Sequence, residues 1–274
     1  MRPMPETAID FPTLRLIGWP YAGLPDDAAW AGLFAAHPQA KPARVSEQHR
    51  SGYVVADGPE AALKAESLPE WQKPRFPSHE RAAVGDWVLL EGKKIVALLP
   101  RHTSIKRGAA GEHYHQQVIA ANVDTAFIVC GLDDDFNPRR IERYLMLVGG
   151  GGAEPVVVLT KADQTDYAPD AVDTLAELAA QDITVCAVNA KDPASVASLH
   201  GWLGAGKTAV LVGSSGAGKS TMMKVIAGVE QLTEGQILMG GREVQFRGTE
   251  EARRHGIGTV FQELNPFPNT TVAQ

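Results

Sequence analysis

Eight consecutive residues, Gly213-Ser214-Ser215-Gly216-Ala217-Gly218-Lys219-Ser220, fit the spacing G-x-x-x-x-G-K-[ST] and are followed by Thr221. The chemistry available to such a stretch is phosphate binding. Glycines let the backbone curl so that successive NH groups point inward at an anion, a lysine supplies a point charge to the outer phosphates, and a serine hydroxyl can ligate magnesium. Lys219 is therefore both a binding residue and a candidate catalytic one, and Ser220 is the candidate Mg2+ ligand. The bland alternative is a structural glycine turn. The flanks argue against it: Thr208 to Val212 is a short apolar, β-branched run of the kind that forms a buried strand, and Met222 to Ala227 continues as a helix whose positive end would face the phosphates.

The elements that must hold this loop lie upstream. Strands are predicted at Thr125–Val129, Pro155–Leu159 and Thr184–Val188, and helices at Pro138–Val148, Pro169–Ala180 and Pro193–Trp202. Alternation of this kind predicts a doubly wound parallel sheet, which binds nucleotides at the carboxyl ends of its strands. Two predicted strand ends carry suggestive residues. Thr160-Lys161-Ala162-Asp163 follows one, and a carboxylate there can accept two hydrogen bonds from the ring NH and exocyclic amine of guanine, an arrangement adenine cannot match. Asn189-Ala190-Lys191 follows the next, where a backbone NH could donate to the guanine oxygen. Each tetrapeptide alone reads as a plain loop; in this order, ahead of a phosphate loop, they form a joint signal.

The chain has 274 residues, 44% of them hydrophobic, enough for one large core or two modest ones. Residues 1–40 read as an extension packed on its neighbour. Between about 41 and 115, short valine-rich runs at Pro42–Val45, Gly52–Val55, Gly85–Leu90 and Lys94–Leu99 predict a small β-barrel of the oligonucleotide-binding kind. Cys130 and Cys186 both fall in predicted buried strands and read as free thiols. The N-terminus carries no apolar signal core, and no run is long enough to span a bilayer. A net charge of −6 argues against wholesale coating of nucleic acid, yet Lys93, Lys94, Arg101, His102, Lys106 and Arg107 fall in a stretch free of acidic residues. Such a stretch suits contact with RNA phosphates as well as it suits a solvated strand face. His113 and His115 lack a third ligand nearby, so no zinc site is expected. Gly149–Gly152 reads as a hinge or a plain turn, and Arg139, Arg140 and Arg143 share one face of a predicted helix.

Residues from about 14 to 221 resemble the RsgA (YjeQ) family of ribosome-assembly GTPases. The resemblance rests on Ala83-Val84-Gly85-Asp86-Trp87-Val88, on Gln117 to Asp124, on Asp135-Phe136-Asn137 with Arg140-Ile141-Glu142-Arg143-Tyr144, and on Pro155 to Asp163. It implies an α/β P-loop NTPase domain, a circularly permuted G domain whose base motifs precede the phosphate loop, preceded by an oligonucleotide-binding barrel. It also implies GTP/GDP and Mg2+ as ligands, the small ribosomal subunit and its rRNA as partner, and a cytoplasmic, non-membrane, monomeric protein. Thr160 stands where the family usually has asparagine, and Asn189 where it usually has serine.

Beyond the loop, Met222 to Val229, Glu234 to Leu238 and Gly258 to Leu264 look like the start of a sugar-importer ABC-transporter ATPase, with Gln262 as its Q-loop glutamine and second catalytic candidate. The sequence reading is thus a chimaera joined at the phosphate loop: extension 1–40, barrel 41–115, permuted G domain 116–221 and ABC-like segment 222–274. Its alternatives are an ABC ATP-binding fragment or a catalytically defective fusion. The last aspartate is Asp192, so neither a D-x-x-G switch nor a Walker B aspartate follows Lys219, and hydrolysis slower than that of an intact GTPase is expected.

Overall fold

The structure, a computed structural model, describes residues 9–49, 52–108, 116–134, 136–166, 168–179, 181–227, 237–239 and 242–244. Two short helices come first, α1 (Phe11–Arg15) and α2 (Ala28–Ala36), each started by an aspartate, Asp10 or Asp27, whose side chain accepts a first-turn NH. Five antiparallel strands follow: β1 (Lys41–His49), β2 (Gly52–Ala56), β3 (Leu63–Ala65), β4 (Trp87–Glu91) and β5 (Lys94–Leu98). They are ordered β3-β2-β1-β4-β5. The ends of that row meet: Glu66 bridges Lys94 in parallel, with the Glu66 NH 2.7 Å from Lys93 O and the Ile95 NH 3.1 Å from Glu66 O. The ring therefore runs β1-β2-β3-β5-β4 and back to β1, a five-stranded Greek-key barrel.

Alternation along β4 divides its side chains between two cores. Val88 and Leu90 join Val45, Tyr53, Val55, Trp71 and Ile95 inside the barrel. Trp87 and Leu89 face outward onto Leu14, Trp19 and Trp30 of the N-terminal segment. The Trp19 and Trp87 rings meet edge to face at 4.8 Å.

The hairpin β6 (Ser104–Gly108) and β7 (Gln116–Ala121) leads into a parallel sheet made of β8 (Thr125–Gly131), β9 (Glu154–Thr160), β10 (Thr184–Ala187) and β11 (Ala209–Gly213), ordered β10-β9-β8-β11. Helix α3 (Pro138–Gly149) and the short α4 (Ala168–Thr174) and α5 (Ala176–Ala179) cover one face, with Ile141, Tyr144, Val148, Ala171, Leu175 and Leu178 against Ala126, Ile128, Val157 and Leu159. On the other face α6 (Pro193–Val196), the 3-10 turn Ala197–Trp202 and α7 (Lys219–Ile226) pack Val196, Leu199, Met222 and Val225 against Phe127, Val129, Val156 and Val158. Helices on both faces of a parallel sheet are the doubly wound arrangement expected from the sequence. A last hairpin, β12 (Ile237–Met239) with β13 (Arg242–Val244), lies near the 3-10 turn.

Several expectations change in detail. The single helix over Pro169–Ala180 is two pieces broken at Leu175, and the one over Pro193–Trp202 tightens to 3-10 geometry after Val196. Cys130 is buried in β8, but Cys186 lies in the outer strand β10 and is only half-buried, so burial raises its thiol pKa without enclosing it. The basic stretch is not one face. The Arg101 guanidinium turns inward to the fully buried Asp86, 2.7 Å away, and donates 2.6 Å bonds to the carbonyls of His79 and Arg81. The His102 ring stands 4.9 Å from Trp30, and Arg107 bonds Gln117. Lys93, Lys94, His102 and Lys106 are the exposed members of that set, and Arg101 and Arg107 are partly buried.

Candidate nucleotide site

The phosphate loop leaves the carboxyl end of β11. Gly213 has φ of 152° and passes so close to β8 that a Cβ there would stand 2.1 Å from Val129 O; Gly218 has φ of 90°, and its Cβ would sit 3.1 Å from Thr160 Oγ1. Both glycines are thus required by conformation and by space. Gly218 starts α7 and no side chain caps that helix, so its first-turn NH groups are left to whatever the loop encloses. The Lys219 ammonium reaches back over the loop and donates to Gly213 O at 2.8 Å and Ser214 O at 2.5 Å. Ser220 is exposed and Thr221 half-buried on the first turn of α7.

The loops after β9 and β10 come to this mouth because parallel strands share a carboxyl edge. Thr160 is fully buried, and its hydroxyl donates to Ala217 O at 2.6 Å, fastening the loop after β9 to the phosphate loop. Lys161 adopts φ of 63° and starts the turn Ala162–Gln164, on which Asp163 is exposed. The Ala162 NH donates to Val188 O at 3.3 Å, which ties the loop after β9 to the loop after β10. In that second loop the Asn189 NH is taken by Ser195 Oγ and the Lys191 NH by Asn189 Oδ1, each at 2.9 Å. Ala190, between them, is 6% exposed, and its NH is left without a partner among the described residues.

Residues expected from the sequence at 160–163, 189–191 and 213–221 therefore meet along one edge. Gln262, His113 and His115 lie outside the described residues. Two side chains went unforeseen: Asp133, which ion-pairs Lys161, and Ser195, which holds the Asn189 amide. Nothing in the composition of either loop marks them; both are ordinary turn residues by type. Among the described residues no group of three His, Cys, Asp or Glu side chains is placed to hold a metal, and no helix is long and apolar enough to cross a membrane.

A glycine cradle at the tip of a parallel-sheet strand, running into a helix and bordered by two tethered loops, defines a P-loop nucleotide-binding α/β protein. Comparison with known proteins narrows the class. A family model described as RsgA GTPase matches residues 98–243. Small ribosomal subunit biogenesis GTPase RsgA of Xanthomonas axonopodis pv. citri is 68% identical over 266 residues, 97% of this chain and 70% of that one. Its counterpart in Xanthomonas oryzae pv. oryzae is 69% identical over the same shares. The chain belongs to the RsgA GTPase family. The fold agrees with YjeQ from Thermotoga maritima (TM-score 0.52, 20% identity, 68% of this chain and 64% of that one). It agrees also with YloQ, described as a circularly permuted GTPase (TM-score 0.50, 22% identity, 76% and 71%). The family match continues past the phosphate loop to residue 243 and the relatives align over 97% of the chain, so the expected changeover to an ABC-transporter sequence finds no support. The shared phosphate loop had made that changeover look natural.

Proposed function

We infer that this chain binds GTP and GDP and acts as a GTPase in small ribosomal subunit biogenesis, as its relatives are named to do. The observation that carries the reading is the 2.6 Å bond from Thr160 to Ala217, which supports one ligand spanning the loop after β9 and the phosphate loop. Backbone NH groups from Gly213 to Lys219 cradle the phosphates, and Lys219 leaves its carbonyl partners to meet them. Asp163 accepts from the guanine ring NH and amine, and the Ala190 NH donates to the guanine oxygen. Thr160, Asn189 and Lys191 hold the two loops in register, with Lys161 alongside. The threonine at 160, where the family usually has asparagine, does its fastening with one hydroxyl.

The exposed Ser220 hydroxyl, on the turn that follows the cradle, suits a hard oxygen-seeking cation, and Mg2+ there would neutralise phosphate charge. No aspartate follows Asp192 within these 274 residues to assist it. The barrel is the proposed contact for rRNA, the role implies the cytoplasm, and the working form is taken as a monomer. The units are proposed as 1–40, 41–115 and a nucleotide domain from 116 onward.

Displacement of a labelled guanine nucleotide by GDP, ADP and xanthosine diphosphate tests the reading. Wild type is expected to prefer GDP, and Asp163→Asn to shift toward xanthine, because the amide offers a donor where the carboxylate accepted. Equal GDP and ADP affinity with an indifferent Asp163→Asn would sink it.

A further inference from the structure

We propose that Asp133 is a positioning residue that sets guanine preference by holding Lys161 flat across the end of β8. The proposal rests on the guanine reading above. Lys161 follows directly on Thr160, the residue bonded to the phosphate loop, and precedes Asp163 by two positions. Its left-handed backbone turn, φ 63°, is combined with an ammonium that ion-pairs the Asp133 carboxylate beyond the end of the neighbouring strand. Between them lies Gly131. A Cβ there would stand 2.7 Å from Asp133 Oδ1, 3.2 Å from Lys161 Nζ and 3.3 Å from Lys161 Cε, so the lysine stem and its partner occupy the space a side chain would fill.

The consequence is a division of labour between two lysines on one mouth. Lys219 sits over the phosphate loop, bonded to loop carbonyls that an anion can displace. Lys161 has its charge matched by a carboxylate and stands 23% exposed, with Asp133 at 39%. A lysine stem has four rotatable bonds and a strongly hydrated head. Without Asp133 it would leave Gly131 for solvent or for the phosphates. With Asp133 it forms an apolar wall that a purine reaching from the cradle to Asp163 must lie beside.

The test uses the full chain with Asp133→Asn, Asp133→Ala and Asp133→Glu, and displaces labelled GDP with GDP, ADP and inorganic pyrophosphate. Asp133→Asn and Asp133→Ala are expected to cut the GDP-over-ADP preference about fivefold, the effect of a partly exposed ion pair. Displacement by pyrophosphate should be unchanged or stronger, since a positive charge has been released beside the cradle. Asp133→Glu should restore the preference, and melting temperature should stay put in all three. An unaltered preference in Asp133→Asn, or equal weakening of GDP, ADP and pyrophosphate, overturns the proposal. A wild type that prefers GDP and switches with Asp163→Asn while Asp133→Asn is silent removes this inference alone; a wild type without preference removes both.

Discussion

The two ends of strand β11 are built on opposite principles. At its start, Thr208 is locked: its NH donates to Asp124 Oδ2 at 2.7 Å and its hydroxyl accepts from Arg44 at 2.8 Å. Arg44 also donates to Ile17 O at 2.5 Å, Gly85 O at 3.2 Å and Asn122 O at 3.2 Å, so one guanidinium joins the N-terminal segment, the barrel, the linker after β7 and the nucleotide sheet. Burial is the main cause that pulls its pKa down to about 10, and the nearby Asp124 and Asp86 oppose the fall. Space is as tight as bonding: a Cβ on Gly85 would stand 2.2 Å from Ala121 O. At the other end, Gly213 to Gly218 bend through open conformations, and among the described residues no side chain caps the helix and one amide in the neighbouring loop lacks a partner. Saturated polar groups mark a joint, and unspent donors mark a place for a ligand.

That contrast can be broken from either side. Arg44→Ala strands three acceptors, since Gly85 O keeps the bond from the Asn122 amide, and is expected to cost about 3–5 kcal/mol in denaturant unfolding, with nucleotide affinity of the folded fraction little changed. Lys219→Ala should do the reverse: about a hundredfold loss of GDP affinity, roughly 3 kcal/mol, with melting unmoved. Thr160→Val sits between them. Losing the hydroxyl that reaches Ala217 O should lower stability by about 1 kcal/mol and loosen GDP binding by a few fold, measured on the same samples.

A smaller effect is set by pH. His200 is 4% exposed, and desolvation holds its pKa below the ordinary value, against the bond that its Nδ1–H donates to Ala197 O. The unfolded chain therefore takes up a proton as pH falls below about 6.5 while the folded chain resists it, so stability complete above that pH is lost toward the depressed folded value. The slope should be at most about 1.4 kcal/mol per pH unit, and unfolding curves of His200→Gln should be flatter over the same range.

How far the sequence spoke depended on which of these two ends was being read. The phosphate loop and Thr160-Lys161-Ala162-Asp163 were legible because their chemistry depends on local spacing, and the alternating runs gave the parallel sheet. The joint was not legible. Arg101 looked like one more surface cation until the fold laid it against Asp86, fifteen residues away in sequence. Arg44 and Thr208 are 164 residues apart, and no local pattern carries such a pairing. β3, three residues with only Ala65 buried, is too brief for alternation to register. The likeness of Met222 to Val229, Glu234 to Leu238 and Gly258 to Leu264 to another phosphate-loop family finds no support in the relatives, and short runs beside a common loop are weak ground for a family.

The main-chain bridge between Glu66 and Lys94 has a consequence for how the barrel meets other molecules. At that seam the main-chain groups of Glu66, Lys93 and Ile95 are spent on one another, so this part of the row offers no free edge for a guest backbone to extend. A molecule that docks at the seam has to be gripped by side chains, and the exposed Lys93 and Lys94 there are the first hands available to a phosphate.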